Sequence, residues 1–412
     1  MPKPQDEDNI KKEVSFEVSE KLFEQIPLVQ IVDKVVNDAV ERRASDILFE
    51  PLDTDLQIRF RIDGIIYRYI KLAKTYHDPV ISRIKVLSGL DISEHRLPQD
   101  GRFKMGFGKS EVDFRVSVIP SNLGEKIVLR VLDKSAIALD IDKLGFDLRT
   151  LELLKRNLHQ PFGMILVCGP TGSGKTTTLY SALKYIDSIE KNIVTIEDPV
   201  EYQLFGINQV VVSEDIGLTF ASALRSILRQ DPDIVLVGEI RDFETADISV
   251  KAALTGHLLL TTLHTTSASS SLVRLANMGL ESFLIASSCL LIVSQVLARR
   301  LCPECKESYY PPKEILEEIK SSHLPVDGNI MLYRKSGCSA CNYTGFKGRV
   351  VFAESLEMTQ TIKDLIIARA SEKEIRDAGI KEGLSTIREN GFLLVKEGIT
   401  SIEEVLRVTS VE

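Results

Sequence analysis

The pattern of hydrophobic residues along this chain changes near residue 148. Before that point, hydrophobic residues recur at helical spacing over 28–40 and alternate with polar residues over 56–70, around an Asp63-Gly64 turn. Helical spacing is typical of an amphipathic helix, and alternation around such a turn is typical of a β-hairpin. Further along lie one helical stretch and two strand patterns, at 79–90, 112–119 and 126–132. An α+β domain is therefore predicted over 28–135.

From residue 148 onward, short apolar runs alternate with helical stretches. The runs that predict strands are 164–168, 193–197, 234–238 and 257–263. This alternation is typical of a mostly parallel sheet with helices on both faces. The apolar run 283–298 is too short for a membrane span and contains serines and a glutamine, so we predict a buried helix there. Beyond residue 352 the chain becomes helical and charged.

Composition narrows the class of protein without identifying it. The 412 residues are 44% hydrophobic and 27% charged, which is typical of a globular protein of two to four domains. The net charge of −8 argues against a general nucleic-acid binder. Because Met1 to Lys12 is polar and resembles no signal peptide, we expect a cytoplasmic protein with reduced cysteines.

The strongest motif is Gly-Pro-Thr-Gly-Ser-Gly-Lys-Thr at 169–176, which fits the phosphate-binding pattern G-x-x-x-x-G-K-[ST]. It lies between a strand pattern and a potential helix, where backbone N–H groups converge on an anion. Lys175 is expected at the β- and γ-phosphates, and the Thr176 hydroxyl at Mg²⁺. The predicted nucleotide-binding residues are Gly169, Pro170, Thr171, Gly172, Ser173, Gly174, Lys175, Thr176 and Thr177.

Acidic residues follow two other predicted strands. Glu197 and Asp198 end one strand, and Glu239 follows another, where Gly238 replaces the usual magnesium-binding aspartate. Because ligands of parallel sheets lie at the carboxyl ends of the strands, Glu197 and Asp198 are expected to face the phosphates. Alternatively, both acids cap the next element. Glu239 is predicted to be the catalytic acid that orients the attacking water.

Several cationic residues are candidates for contact with phosphate. Arg225 and Arg229 lie four residues apart in a predicted helix over 221–230, where they are either solvated or able to reach phosphate across a subunit boundary. His257 and His264 flank one strand and are either structural or sensors of the γ-phosphate. Most first-domain arginines are expected on polar strand faces, with one or two in the nucleotide cleft: Arg59, Arg61, Arg68, Arg96, Arg102, Arg115 and Arg130.

Two C-x₂-C pairs form the second strong signal. Cys302 and Cys305 make the first pair, and Cys338 and Cys341 make the second, 32 residues later. Four thiolates suit a closed tetrahedral zinc site that lacks an open position for catalysis. Disulfides are the alternative, which a reducing compartment disfavours. The other two cysteines lie in apolar runs and are expected to be core thiols.

These features together resemble the secretion ATPase superfamily. The closest branch contains the type II secretion ATPases (the general secretion pathway E protein) and the type IV pilus assembly ATPases. The resemblance covers 28–412 and depends on the segments 169–176, 193–201, 231–242 and 255–265 and on the paired cysteines. It implies an α/β fold, a RecA-like P-loop NTPase domain preceded by a smaller α+β (PAS-like) N2 domain. A zinc-binding insertion with four cysteine ligands and a helical C-terminal region are also implied.

The resemblance divides the chain into six parts. They are a flexible segment at 1–27, the N2 domain at 28–135, a linker at 136–147, the RecA-like ATPase core at 148–300, a four-cysteine metal-binding subdomain at 301–352 and the C-terminal helical region at 353–412. Relatives usually carry a further N-terminal domain for docking. We therefore expect a truncated or minimal form, or docking through another surface.

The implied protein is a hexameric motor that hydrolyses ATP with Mg²⁺. It would drive pseudopilus or type IV pilus assembly and protein secretion, together with platform and docking proteins at the inner face of the cytoplasmic membrane. Matched by position, the residues implied to act on ATP are Glu239, Lys175, Arg115, Arg130, Arg225, Arg229, His264 and Asp198. The alternative is a nucleic-acid translocase on the same core, which the acidic balance disfavours, so no direct nucleic-acid partner is expected.

Overall fold

The computed structural model describes residues 23, 26–108, 110–132, 139–321 and 330–409. The predicted segment 1–27 lies largely outside these ranges, as does the first part of the predicted linker. The chain divides into two compact units. Of the described residues, the first unit contains those up to 132 together with 302–305 and 336–347, and the second contains the others.

The first unit is built on a six-stranded antiparallel sheet with the strand order β3-β2-β1-β6-β5-β4. Its elements are α1 (Leu28–Glu41), β1 (Ala44–Pro51), β2 (Asp55–Ile62), β3 (Ile65–Ala73), α2 (His77–Leu87), β4 (Gln99–Phe107), β5 (Ser110–Ser121) and β6 (Gly124–Leu132). The predicted first helix and the hairpin are confirmed. Asp63 and Gly64 have φ of 49° and 88°, as a tight two-residue hairpin turn requires.

Helical spacing in α1 produces the core of this unit. Ile31, Val32, Val35 and Val36 are fully buried against the sheet. Strand β2 alternates buried and half-buried positions, as expected of a sheet with one covered face.

The second unit is built on a seven-stranded sheet with the order β15-β12-β7-β11-β10-β8-β9, in which neighbouring strands from β12 to β9 are parallel. Its elements are α3 (Leu148–Leu158), β7 (Gly163–Cys168), α4 (Lys175–Ile186), β8 (Ile193–Glu197), β9 (Asn208–Val211), α5 (Phe220–Ile227), β10 (Ile234–Val237), α6 (Phe243–Leu254), β11 (Leu258–Leu263), α7 (Ala268–Asn277), α8 (Ser282–Ser288), β12 (Cys289–Leu301), β13 (Glu307–Tyr309), α9 (Lys313–Ser321), β14 (Leu332–Arg334), β15 (Phe346–Glu357), α10 (Gln360–Ile367), α11 (Glu372–Lys381), α12 (Ile387–Lys396) and α13 (Ile402–Thr409). The four predicted strands are confirmed as β7, β8, β10 and β11.

Both faces of this sheet are covered, which confirms the predicted α/β architecture. Val235 and Val237 of β10 enter a core formed with α5 to α8, whereas Ile234 and Leu236 enter a second core formed with α3 and α4. Because successive side chains of a strand point to opposite faces, a strand buried on both faces is apolar throughout.

The predicted buried helix at 283–298 is wrong. Helix α8 ends at Ser288, and β12 continues from Cys289 to Leu301 beside β7. A short apolar run fits a buried strand as well as a buried helix, and this run contains the β-branched residues Ile292, Val293 and Val296. Its place beside β7 is a tertiary feature that periodicity does not reveal. In the described part of the chain, no helix is both long and apolar enough to span a bilayer.

Candidate active site

The phosphate-binding motif forms the tight connection between β7 and α4. Gly169 and Gly174 have φ of 143° and 90°, which side-chain-bearing residues rarely adopt. A Cβ on Gly169 would lie 2.2 Å from the backbone oxygen of Gln295. Glycine is therefore required at the start of the loop.

The loop contains a buried cation and a buried hydroxyl. The Lys175 ammonium donates to the backbone oxygens of Gly169 (2.8 Å) and Pro170 (3.0 Å), and burial lowers its pKa. The Ser173 hydroxyl is buried and has no hydrogen-bond partner among the described residues. Thr176 and Thr177 follow, half-buried, in the first turn of α4. These groups fit an anionic ligand, because buried polar groups usually have partners.

Gln295 of β12 braces the loop, and sequence reasoning missed it. Its side-chain nitrogen donates to the backbone oxygen of Ser173 (2.8 Å), and its side-chain oxygen accepts from the Thr178 hydroxyl (2.9 Å). Gln295 is 1% exposed. The available signal was a polar residue inside an apolar run. A polar residue at this position also argues against a membrane span.

The other predicted acids and the histidine gather at the same edge of the sheet. Strands β7, β11, β10 and β8 are consecutive neighbours, so the residues that follow them lie side by side. The His264 ring donates through Nε2 to Oε2 of Glu239 (3.0 Å). The structure thus brings Glu239, His264 and the loop to one edge.

Arg241 joins this group, and no motif indicated it. Its Nη2 lies 2.5 Å from Oε1 of Glu239, and its Nη1 lies 3.7 Å from Oδ2 of Asp198. The signal in the sequence was the position of an arginine two residues after the candidate catalytic acid.

Glu239 is held as a carboxylate. Burial by itself raises the pKa of its carboxyl, but hydrogen bonds and charge from Arg241, and then from His264, outweigh burial and lower that pKa. An ionised carboxylate can accept a hydrogen bond from water, which is what orienting or deprotonating a nucleophilic water requires.

Gly238 has a steric explanation. A Cβ at this position would lie 3.2 Å from the backbone oxygen of Ile196 and 3.3 Å from Cα of Glu197, both on β8. The Gly238 N–H donates to that same Ile196 oxygen (2.8 Å). A side chain here would require the backbone of β8 to shift by a few tenths of an ångström, so glycine fits this position best.

Glu197 does not face the phosphate loop, contrary to expectation. It is 4% exposed and accepts hydrogen bonds from Tyr180 of α4, Thr195 (2.6 Å) and Gln209 (3.1 Å). Burial and the Glu197 carboxylate raise the pKa of Tyr180. Glu197 therefore fastens α4 to β8 and β9, while exposed Asp198 stays near Arg241.

The two histidines lie at opposite ends of β11. His257 precedes the strand, and its Nδ1 lies 3.1 Å from the backbone oxygen of Ala252. At about 3.3 Å per residue, the strand separates it from His264 by roughly 20 Å. Of the two histidines, His264 therefore lies at the edge with Glu239, and His257 lies at the opposite end of the strand.

Arg225 and Arg229 contact residues of the same unit that lie close to them. Helix α5 ends at Ile227 rather than at 230, so Arg229 lies beyond it. Arg225 is 2.5 Å from Glu244 of α6, and Arg229 donates to the backbone oxygen of Arg225 (2.8 Å). Both side chains are largely accessible to solvent.

Arg115 and Arg130 of the first unit are cross-strand partners on β5 and β6. Arg130 contacts Asp46 of β1 through Nε (3.2 Å). Asp46 is also opposite Arg61 of β2, so charged residues occupy one row across this sheet.

The four predicted metal ligands come together. The sulfur atoms of Cys302, Cys305, Cys338 and Cys341 all lie within 4.8 Å of one another, with neighbours at 3.8–3.9 Å. Tetrahedral zinc with bonds of about 2.3 Å places its sulfurs about 3.8 Å apart. Backbone N–H groups of Cys338 and Gly345 donate to the Cys341 sulfur, both at 3.2 Å, as expected around a thiolate ligand. All described cysteines are free, so the disulfide alternative is not what the structure contains.

A buried lysine in a glycine-rich loop and an acid at the end of another strand of the same sheet define a P-loop nucleoside triphosphatase. The family model described as "Type II/IV secretion system protein" matches residues 21–407, and the chain belongs to this family. The type IV pilus assembly ATPase PilB of Myxococcus xanthus is 49% identical over 98% of this chain and 72% of its own length. The type II secretion system ATPase E of Vibrio cholerae is 43% identical over 98% of this chain and 78% of its own.

Solved structures agree with this assignment. The crystal structure of the pilus retraction motor PilT with bound ADP has a TM-score of 0.62 and 26% identity, covering 93% of this chain and 97% of PilT. The ATPase DotB of Legionella pneumophila shares the fold, with a TM-score of 0.67 at 19% identity over 93% and 96% of the two chains. The predicted resemblance to secretion and pilus ATPases is confirmed, and the nucleic-acid translocase alternative is not favoured.

Proposed function

We propose that this chain hydrolyses ATP at the carboxyl edge of its parallel sheet and works as the motor ATPase of a type IV pilus or type II secretion system. One observation carries the proposal. The phosphate loop and Glu239 follow the carboxyl ends of strands β7 and β10 of one parallel sheet. A cation for phosphate and a base for water thus lie at the same edge of the sheet.

The residues take distinct roles in this proposal. The backbone of 169–176 and Lys175 would hold the phosphates, and the Thr176 hydroxyl would hold Mg²⁺, which would neutralise charge on the phosphate oxygens. Glu239 accepts a proton from water as the water oxygen bonds to the γ-phosphorus and the bond to ADP breaks. His264 donates to the second oxygen of Glu239 and fixes its orientation.

Other roles follow from the family resemblance. Arg115, Arg130, Arg225 and Arg229 are proposed to neutralise charge on the terminal phosphate, and Asp198 is proposed as the further acid of the site. Arginine suits this task because its planar guanidinium makes paired hydrogen bonds to phosphate.

The test of the catalytic assignment is Glu239→Gln. This change keeps size and shape but removes the proton acceptor, so turnover should fall by about 10²-fold or more while ATP binding stays within about threefold. Steady-state hydrolysis and equilibrium binding of a fluorescent ATP analogue would measure the two quantities. The matched control is Glu190→Gln, an exposed acid before the amino end of β8, which should change neither. Normal turnover by the Glu239 variant would refute the assignment.

Assembly and location form a second part of the proposal. A ring of six chains, docked on platform proteins at the cytoplasmic face of the inner membrane, is proposed from the family. Light scattering of the purified chain with a non-hydrolysable ATP analogue should give a mass of six chains. A monomer at all concentrations would contradict the ring.

The four-cysteine cluster is proposed as a structural zinc site. It supplies four sulfur donors at the spacing of a closed tetrahedron. With no open position, it would stabilise the fold and take no part in hydrolysis.

A further inference from the structure

Arg241 is a cation without an assigned role at the centre of the proposed site. It lies between the end of β10 and Asp242, whose carboxylate caps α6 by accepting from the Thr245 N–H (2.8 Å). The backbone on its C-terminal side is therefore anchored. The side chain is 58% exposed, so the guanidinium is accessible from solvent.

Two acids lie beside this guanidinium. Glu239 is 2.5 Å away, and Asp198 is 3.7 Å away. Strands β8 and β10 are neighbours, so Asp198 and Glu239 would repel each other if no cation lay between them. Arg241 offsets that repulsion.

The contact also limits what Glu239 can do. One carboxylate oxygen accepts from Arg241 and the other from His264, at 2.5 and 3.0 Å. The Glu239 side chain is only 14% exposed. A carboxylate engaged by a guanidinium is a weaker base, and its contact leaves less room for a water molecule.

We infer that Arg241 moves its hydrogen bond from Glu239 to the terminal phosphate of ATP and thereby frees Glu239 to activate water only when a triphosphate is bound. The ligand class follows from the donor. A guanidinium released from a carboxylate finds in phosphate oxygens an acceptor of the same geometry and greater charge. ADP lacks that phosphate and would leave the Arg241–Glu239 contact in place. This inference rests on the proposed catalytic role of Glu239.

The experiment compares Arg241→Gln and Arg241→Lys with the unaltered chain. Equilibrium binding of fluorescent ATP and ADP analogues would be measured together with kcat and KM. Because the contact is specific to a triphosphate, Arg241→Gln should weaken ATP binding about tenfold and ADP binding less than twofold, and it should lower kcat at least about tenfold. Arg241→Lys should restore part of the ATP preference, since it keeps the charge but loses the paired geometry.

The matched control is Lys251→Gln at the other end of α6. Lys251 is an exposed cation paired with Asp247 at 2.7 Å, and its loss should leave both affinities and kcat unchanged. Circular dichroism and thermal unfolding would show that each variant is folded. A purely structural role for Arg241 would change affinity for ATP and ADP equally.

Two results separate this inference from the proposed function. An unchanged ATP-to-ADP affinity ratio in Arg241→Gln, alongside an inactive Glu239→Gln, would overturn the inference alone. A fully active Glu239→Gln would overturn both, because Arg241 would then restrain a carboxylate that takes no part in hydrolysis.

Discussion

Glu239 carries its negative charge between two nitrogen donors, which keeps it ionised and fixes both of its oxygens. The same contacts reduce the strength of this carboxylate as a base, so the cation that keeps it ionised also restrains it. At the residue scale, the proposed activation of water therefore depends on which donor is hydrogen-bonded to each carboxylate oxygen of Glu239. The proposed site therefore includes Arg241 and His264, which contact the two oxygens of Glu239.

The brace on the phosphate loop gives a prediction for Gln295→Leu. The substitution leaves the Ser173 carbonyl and the Thr178 hydroxyl without their partner, and each unsatisfied group costs about 1–3 kcal/mol. The loop should lose its fixed shape, and affinity for ATP and ADP should fall about tenfold or more. Equilibrium binding of both nucleotides would measure the loss.

Thr178→Val tests one of these two hydrogen bonds separately. It removes one hydrogen bond but leaves the Gln295 amide donating to Ser173, so its effect should be smaller. If Thr178→Val and Gln295→Leu lost the same nucleotide affinity, the hydrogen bond from Gln295 to the loop backbone would not explain the loss.

Strand β12 links the site to the C-terminal helices. One of its residues braces the phosphate loop, and another, Arg299, holds α13 through Glu404. Glu404 is 1% exposed and also receives two hydrogen bonds from Arg407. Burial by itself raises the pKa of the Glu404 carboxyl, but Arg407 and Arg299 outweigh it and lower that pKa to about 2.

The ion pairs of Glu404 predict that the contact between α13 and β12 becomes less stable in acid. Because the folded pKa of Glu404 is below its ordinary value of 4.5, its contribution is complete above pH 4.5 and is lost as the pH falls towards 2. Glu404→Gln should lower the free energy of unfolding by about 3 kcal/mol at pH 7. It should also flatten the decline in stability between pH 4.5 and 2. Thermal unfolding as a function of pH would test both.

The neighbouring Glu403 provides the control for this prediction. Its side chain is exposed, and Glu403→Gln should shift the unfolding midpoint little. If both variants lost the same stability, the contact between α13 and β12 would not be what Glu404 provides.

At the scale of the whole molecule, the four cysteines join segments that lie far apart in sequence. Zinc should stabilise the fold because it closes this long loop and satisfies four thiolates. We expect about one equivalent of zinc in the purified chain, and chelation should lower the thermal unfolding midpoint. Metal analysis and unfolding with and without a chelator would measure these effects.

Cys305→Ser should reduce zinc to less than about half an equivalent, because three sulfurs make a weaker site. Cys289→Ala is the control, since it removes a buried thiol outside the cluster and should leave the metal content unchanged. Full zinc retention by Cys305→Ser would count against the four-thiolate site.

Much of the fold could be predicted from local patterns. The first helix, the hairpin, the four central strands and the C-terminal helices all followed from spacing and turn chemistry. The phosphate loop and the cysteine pairs could also be recognised in the sequence, because their chemistry depends on short, fixed spacings. Strand β12 could not be predicted, since an apolar run gives the same signal in a buried strand and a buried helix.

The sequence by itself determined that this chain has a phosphate-binding loop, a candidate catalytic acid and four potential metal ligands, because each is encoded by nearby residues. Only the tertiary structure decided which side chains meet. It placed Gln295 against the loop, turned Glu197 into the interior and set Arg241 against Glu239. The physical reason is that these contacts depend on the order of strands in the sheet, and strand order follows from packing both faces of the sheet at once.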